Sequence, residues 1–166
     1  VGRVVKEKGL STLIKAFSKI TNKSYKLLIV GDGDYMNDLK LLINSEGLEK
    51  RVILTGWTKN PKKYFLKSKI FVLPTHFEAF GNVIVEAMHY NLISIVTKNS
   101  GGPDEVLLNG KYGFQFKKND IYELNKKIEF CINNEKFIQN KINLAEKSLS
   151  RFSKTKSLKK YYSLLN

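Results

Sequence analysis

Short apolar runs alternate with helical stripes along most of the chain. Val1–Val5, Tyr25–Val30, Val52–Thr55, Ile70–Leu73, Ile93–Thr97 and Gly113–Phe116 are too short for helices and read as strands. Between them, Leu10, Leu13, Ile14, Phe17 and Ile20 fall on one helical face, and Met36, Leu39, Leu42 and Ile43 on another. A further helix is expected from Asn82 to Tyr90. Runs that are apolar on both faces and alternate with helices predict an α/β fold: a Rossmann-like parallel sheet with helices on both faces. After Asp120 the strand signals stop. Leu124, Ile128, Cys131 and Ile132, then Ile142, Ala145 and Leu149, then Leu158, Tyr161, Tyr162 and Leu165 predict three closing helices. No repeat or linker divides the chain, so residues 1–166 read as one domain. Val1–Val5 looks like the middle of a first strand, which predicts that the chain is the C-terminal half of something larger.

Parallel α/β sheets bind ligands beyond the carboxyl ends of their strands. Candidate chemistry collects there. After Ile70–Leu73 comes Glu78-Ala79-Phe80-Gly81-Asn82-Val83-Ile84-Val85-Glu86, two carboxylates flanking a turn and a helix start. A helix start offers unpaired N–H groups and a positive dipole end, which suit an anion. Acids beside an anion site are costly unless they hold something else, and sugar or ribose hydroxyls fit. The pattern suggests a ligand with phosphate in the middle and hydroxyls on both sides, such as a nucleotide sugar. With the first run come Arg3, Lys6 and Lys8, then Gly9 before a helix; these basic groups and the helix start either neutralise a diphosphate or are ordinary loop charge. Gly31-Asp32-Gly33-Asp34 follows the second, with Asp34 expected as a helix N-cap. Asp32 and Asp34 also have the spacing of a metal-binding acid pair, but turn and cap chemistry explains both. Gly56-Trp57-Thr58 follows the third, where Trp57 either packs on a base or covers the sheet edge. Ser100-Gly101-Gly102-Pro103-Asp104-Glu105 follows the fifth, where the Gly pair either brings backbone N–H groups to the ligand or is a plain helix-opening loop. His76 is a weak site candidate, and neither it nor His89 has metal-ligand spacing to other residues.

Composition changes this picture little. Hydrophobic content of 42% supports a real core, and no apolar run approaches a membrane helix. No signal peptide is visible, so the expected location is the cytoplasm, with peripheral contact at the inner face of the plasma membrane left open. One cysteine, Cys131, excludes a disulfide framework and sits in an apolar run as a buried thiol. The net charge is +14, carried by lysine except for Arg3, Arg51 and Arg151. The lysines are scattered rather than striped, which favours a solvated basic surface over a nucleic-acid or anionic-membrane module. No Gly-x-Ser-x-Gly elbow, P-loop or Gly-x-Gly-x-x-Gly occurs, so hydrolase, NTPase and dehydrogenase readings lack support.

Taken in order, Gly2-Arg3…Lys8-Gly9, Gly31-Asp32-Gly33, Gly56-Trp57, Glu78-Ala79-Phe80-Gly81-Asn82…Glu86-Ala87 and Ser100-Gly101-Gly102-Pro103-x-Glu105 resemble the C-terminal donor-binding domain of a retaining family 4 glycosyltransferase (glycosyl transferases group 1), one half of the GT-B fold. The likeness covers residues 1 to about 115. Two positions depart from it: Ala79 stands where Gly is usual, and Asn91-Leu92-Ile93 replaces a Gly-x-Pro. The resemblance implies a nucleotide-diphosphate sugar donor, transfer with retention, and no metal or other cofactor. It implies that Arg3 and Lys8, with the N–H groups of Phe80, Gly81 and Asn82 and the helix start, hold the diphosphate, and that Gly2 and Val83 also belong to the donor site. Glu78 would contact the sugar, Glu86 the ribose, and Gly56, Trp57 and Thr58 the base. Glu78, Arg3 and Lys8 would carry catalysis. The acceptor would bind an N-terminal domain outside this chain, so the chain alone would transfer sugar weakly or not at all. The alternatives are a sugar-nucleotide epimerase half-domain, a glycogen-phosphorylase relative without an evident pyridoxal-phosphate lysine, and a basic nucleic-acid or anionic-membrane binding module.

Overall fold

The computed structural model describes residues 1–153 together with 155 and 156. The third closing helix expected around Leu158 to Leu165 lies outside the described residues. Five strands, β1 (Leu27–Ile29), β2 (Val52–Leu54), β3 (Ile70–Leu73), β4 (Ile93–Thr97) and β5 (Phe114–Phe116), alternate with helices. The helices are α1 (Leu10–Ser18), α2 (Met36–Ser45), α3 (Lys62–Phe65), α4 (Asn82–His89), α5 (Gly102–Val106), α6 (Ile121–Asn133) and α7 (Glu135–Ser148). The strands pair in parallel as two sheets, β1–β2 and β3–β4–β5.

The first expected strand, Val1–Val5, does not form. It runs extended beside the end of β1, where Gly2 N–H donates to Val30 O at 2.9 Å and Val4 N–H to Asp32 O at 2.8 Å. Those acceptors lie beyond β1, at the turn Gly31-Asp32-Gly33, so the ladder has only two rungs. After Val5 the chain enters a 3-10 turn, Lys6–Lys8. There Glu7 O accepts from His76 N–H at 2.9 Å, in the loop after β3. Residues 1–8 are therefore the seam between the two sheets.

Strand alternation explains the two-sided packing. Ile93 and Ile95 of β4 join α1, α2 and α6 in one apolar cluster. Val96, with Phe71 and Leu73 of β3, joins α4 and α5 in the other. All five residues of β4 are buried, as a central strand requires. α7 serves both clusters, giving Ile138 and Ile142 to the first and Ala145 to the second. Side chains such as Ile14, Ile84 and Ile95 are fully buried, and each stabilises the fold by about 1.5–3 kcal/mol through removal from water.

Local chemistry sets the joints. Asp120 caps α6 by accepting from Glu123 N–H at 2.8 Å. After α4, Asn91 takes a left-handed φ of 60° and turns the chain into β4. Asparagine is the common substitute for glycine in that conformation, which is why the missing Gly-x-Pro leaves the turn intact. Cys131 is buried, and burial pushes its thiol up to about 12 against the opposing charges of Lys127 and Lys141. It is a packing residue without thiolate character at neutral pH.

Candidate functional site

The loops beyond the carboxyl ends of the strands are tied to one another by backbone bonds. Gly31 N–H donates to Gly56 O at 2.9 Å, joining the loops after β1 and β2. Glu78 N–H donates to Ser100 O at 2.8 Å and Gly102 N–H to Glu78 O at 2.9 Å, joining the loops after β3 and β4. Gly102 approaches so closely that a Cβ there would overlap Phe80 Cα and lie 2.6 Å from Phe80 O. Gly102→Ala is therefore expected to cost about 1–3 kcal/mol of stability, the usual range for overpacking. Chemical denaturation would measure it, and a wild-type midpoint would mean that the loop yields freely.

This zipper fixes the approach to α4. Gly81 precedes the helix with a φ of 88°, a conformation that favours glycine. Ile84 N–H is satisfied by Gly81 O at 2.8 Å. The N–H groups of Phe80, Gly81, Asn82 and Val83 have no backbone partner among the described residues. Four successive free donors at the positive end of a helix make an anion cradle. The Phe80 side chain points elsewhere: its ring meets Phe152 edge-on at 5.6 Å.

Lys8 comes directly to this loop. Its Nζ donates to Glu78 Oε2 at 2.7 Å, with both side chains about three-quarters shielded from solvent. The sequence put both residues in the site but did not foresee the pair. An ammonium has three N–H donors, so one bond to Glu78 leaves two for a phosphate. Arg3 and Gly2 are exposed, and Arg3 makes no ion pair among the described residues.

Glu86 differs from the simplest expectation. A carboxylate that grips ribose would be at home in a pocket, yet Glu86 is exposed on α4, off the stripe formed by Ile84, Ala87 and Met88. It opens on a groove of about 420 Å³ that also contains Pro61 and Lys62, which closely follow Gly56, Trp57 and Thr58. The Lys8–Glu78 pair lines neither this groove nor a larger one of about 680 Å³ between β1 and β3.

The remaining candidates fall as follows. Trp57 is 68% exposed, which removes the reading in which it covers the sheet edge. Thr58 Oγ1 accepts from Asn60 N–H at 3.1 Å and stiffens the turn. Asp32 accepts from Gly33 N–H at 2.8 Å, as turn chemistry predicts. Asp34 is not the N-cap of α2; the helix begins at Met36 after Tyr35, without a side-chain cap. His76 is anchored by its ring Nε2, 3.0 Å from Asn119 Oδ1. Sequence reasoning missed Asn119, whose signal was an Asn in a turn before the Asp120 cap and whose φ is 62°.

Comparison with known proteins bears on this face. Residues 1–148 match the family described as glycosyl transferases group 1. The chain is 36% identical over 141 residues to the capsular polysaccharide biosynthesis glycosyltransferase CapM of Staphylococcus aureus, covering 81% of this chain and 36% of that protein. It is 28% identical over 156 residues to the N-acetylgalactosamine-N,N'-diacetylbacillosaminyl-diphospho-undecaprenol 4-alpha-N-acetylgalactosaminyltransferase of Campylobacter jejuni, covering 94% and 42%. The crystal structure of Anabaena Alr3699/HepE in complex with UDP superposes with a TM-score of 0.84 at 27% identity, over 90% of this chain and 42% of that one. The chain spans less than half the length of each.

Proposed function

The chain belongs to the glycosyl transferases group 1 family and shares the fold of GT-B glycosyltransferases, and from that premise we propose that it is the donor-binding part of a retaining hexosyltransferase. The donor is a UDP-sugar. The acceptor is a glycan or a lipid-linked sugar in cell-surface polysaccharide or glycoconjugate synthesis. The observation that carries this reading is Lys8 drawn to Glu78 beside four unpartnered N–H groups at the start of α4. The UDP complex of Alr3699/HepE, the capsular role in the name of CapM and the diphospho-undecaprenol in that of the Campylobacter enzyme support the donor and acceptor classes. Family membership sets the epimerase reading aside in favour of a transferase.

The chemistry follows from charge. When the bond between the anomeric carbon and the phosphate oxygen breaks, negative charge builds on the diphosphate. Lys8, Arg3 and the α4 N-terminus stabilise that charge without waiting for solvent to reorganise. The acceptor oxygen then attacks from the face the diphosphate leaves, and its proton passes to a departing phosphate oxygen. Glu78 lies beside the sugar, Glu86 holds the ribose hydroxyls, and the Gly56–Thr58 backbone meets the base. A separate N-terminal domain supplies the acceptor site, so this chain alone binds donor and transfers little or no sugar. The protein works in the cytoplasm, in peripheral contact with the inner face of the membrane, with no nucleic-acid partner.

Cationic side chains and a helix dipole do the work of a divalent ion here, so UDP-glucose should bind without metal. Titration calorimetry with and without a chelator tests this. Unchanged affinity is expected; binding lost on chelation would overturn the metal-free reading and promote Asp32 and Asp34.

A further inference from the structure

The lysines are scattered over the whole chain, but the acids are not. Residues 50–77 contain seven cations and no Asp or Glu, in a chain with 15 acids. Two of the seven are committed elsewhere. Arg51 is turned inward, with its guanidinium 4.5 Å from the Phe17 ring centroid and Nε donating to Tyr25 O at 3.3 Å. Lys69 pairs with Glu135 at 3.5 Å. Lys59, Lys62, Lys63 and Lys67 are exposed and form no ion pair among the described residues. They surround α3, a single helical turn that buries only Phe65. The next residue, Leu66, is 63% exposed, and Lys63 Nζ lies 5.0 Å from the Tyr64 ring centroid.

We propose that this surface, Lys59, Lys63 and Lys67 around the projecting Leu66, docks on an anionic phospholipid bilayer. An isolated exposed leucine is ordinary. A leucine ringed by unpaired lysines, with no acid in the stretch, combines the two ingredients of interfacial anchoring: apolar insertion and attraction to anionic headgroups. The missing acids matter because the attraction acts only within a Debye length, where one carboxylate would cancel one lysine. A nucleic acid fits less well. It has no use for Leu66, and the arginine that would grip phosphate with two parallel bonds is already engaged by the Phe17 ring and the Tyr25 carbonyl. Neither Lys59, Lys63, Lys67 nor Leu66 lines the groove on which Glu86 opens, although Lys62 and Phe65 of the same helix do. The inference deepens the peripheral membrane contact proposed above by assigning it to a surface, and it rests on that reading for the membrane's purpose, that of presenting a lipid-linked acceptor.

Cosedimentation of the 166-residue chain with vesicles tests it, using phosphatidylcholine alone and phosphatidylcholine mixed with phosphatidylglycerol. Binding is expected to the mixed vesicles only, and to weaken with salt. Lys63→Glu/Lys67→Glu should lower partitioning by at least about tenfold, and Leu66→Ser should weaken it at every salt concentration. Lys15→Glu/Lys19→Glu makes the same charge change on exposed positions of another face and should leave partitioning close to wild type. Equal loss in both double variants would overturn the proposal, because net charge alone would be responsible. So would binding to neutral vesicles with the same strength. A single-stranded oligonucleotide that binds through Lys63 and Lys67 while vesicles do not would reassign the surface to nucleic acid. UDP titration of each variant checks folding and separates the two readings: vesicle binding without UDP binding sinks the donor assignment and leaves the surface standing.

Discussion

Glu86→Ala is expected to weaken UDP binding by about 1.5–3 kcal/mol, the range for hydrogen bonds to a charged group. The carboxylate is exposed in the free protein, so it keeps its hydration until ligand arrives and the lower end of that range is the better guide. Its position is what singles it out. It opens on the groove shared with Pro61 and Lys62, just past the Gly56–Thr58 turn. A ribose between a base on that turn and a diphosphate at the α4 N-terminus would present two hydroxyls to it. The loss should be the same for UMP, UDP and UDP-glucose, because the ribose is common to all three. Thermal unfolding should be unchanged, because no buried contact is removed. Wild-type affinity in the variant would mean that Glu86 is surface charge and that the ribose lies elsewhere.

The elements that were legible in the sequence are those written by neighbours in the chain. The largely β-branched run Ile93–Thr97, apolar at Ile93, Ile95 and Val96, announced a central strand, and all its residues are buried. The α4 stripe was equally local: Ile84, Ala87 and Met88 are buried at helical spacing. The same stripe could have shown that Glu86 points outward. What was hidden depends on contacts between distant segments. Val1–Val5 has strand composition, but a strand needs a ladder, and β1 ends before enough rungs form. Asp34 has cap chemistry, but Tyr35 N–H is taken by Val4 O at 3.1 Å, which holds the turn and delays α2 to Met36. The Lys8–Glu78 bond joins residues 70 apart, and no periodicity encodes it. The acid-free stretch was written plainly in the sequence, yet only the exposure of Leu66 and the inward turn of Arg51 give it a direction.

Glu78→Gln should separate catalysis from donor binding. The side chain keeps its size and loses its charge. The loop around it is held by backbone bonds to Ser100 and Gly102, which the substitution does not touch. The bond that changes is the one from Lys8 Nζ at 2.7 Å. An amide oxygen still accepts it but no longer neutralises the ammonium. UDP should therefore bind the variant as tightly as wild type, or more tightly, because a negative charge beside the diphosphate site has gone. Turnover should move the other way. A carboxylate near a developing oxocarbenium ion helps most in the transition state, so in enzyme that includes the acceptor-side domain kcat should fall about 10–100-fold, roughly 1.4–2.7 kcal/mol. KM for the donor should change much less. Steady-state kinetics on that enzyme, set beside UDP titration of this chain, read the two effects independently. Normal turnover would remove Glu78 from the catalytic residues and leave it as the anchor of Lys8. A folded variant that no longer binds UDP would show that the full ion pair is needed to hold Lys8 toward the phosphates.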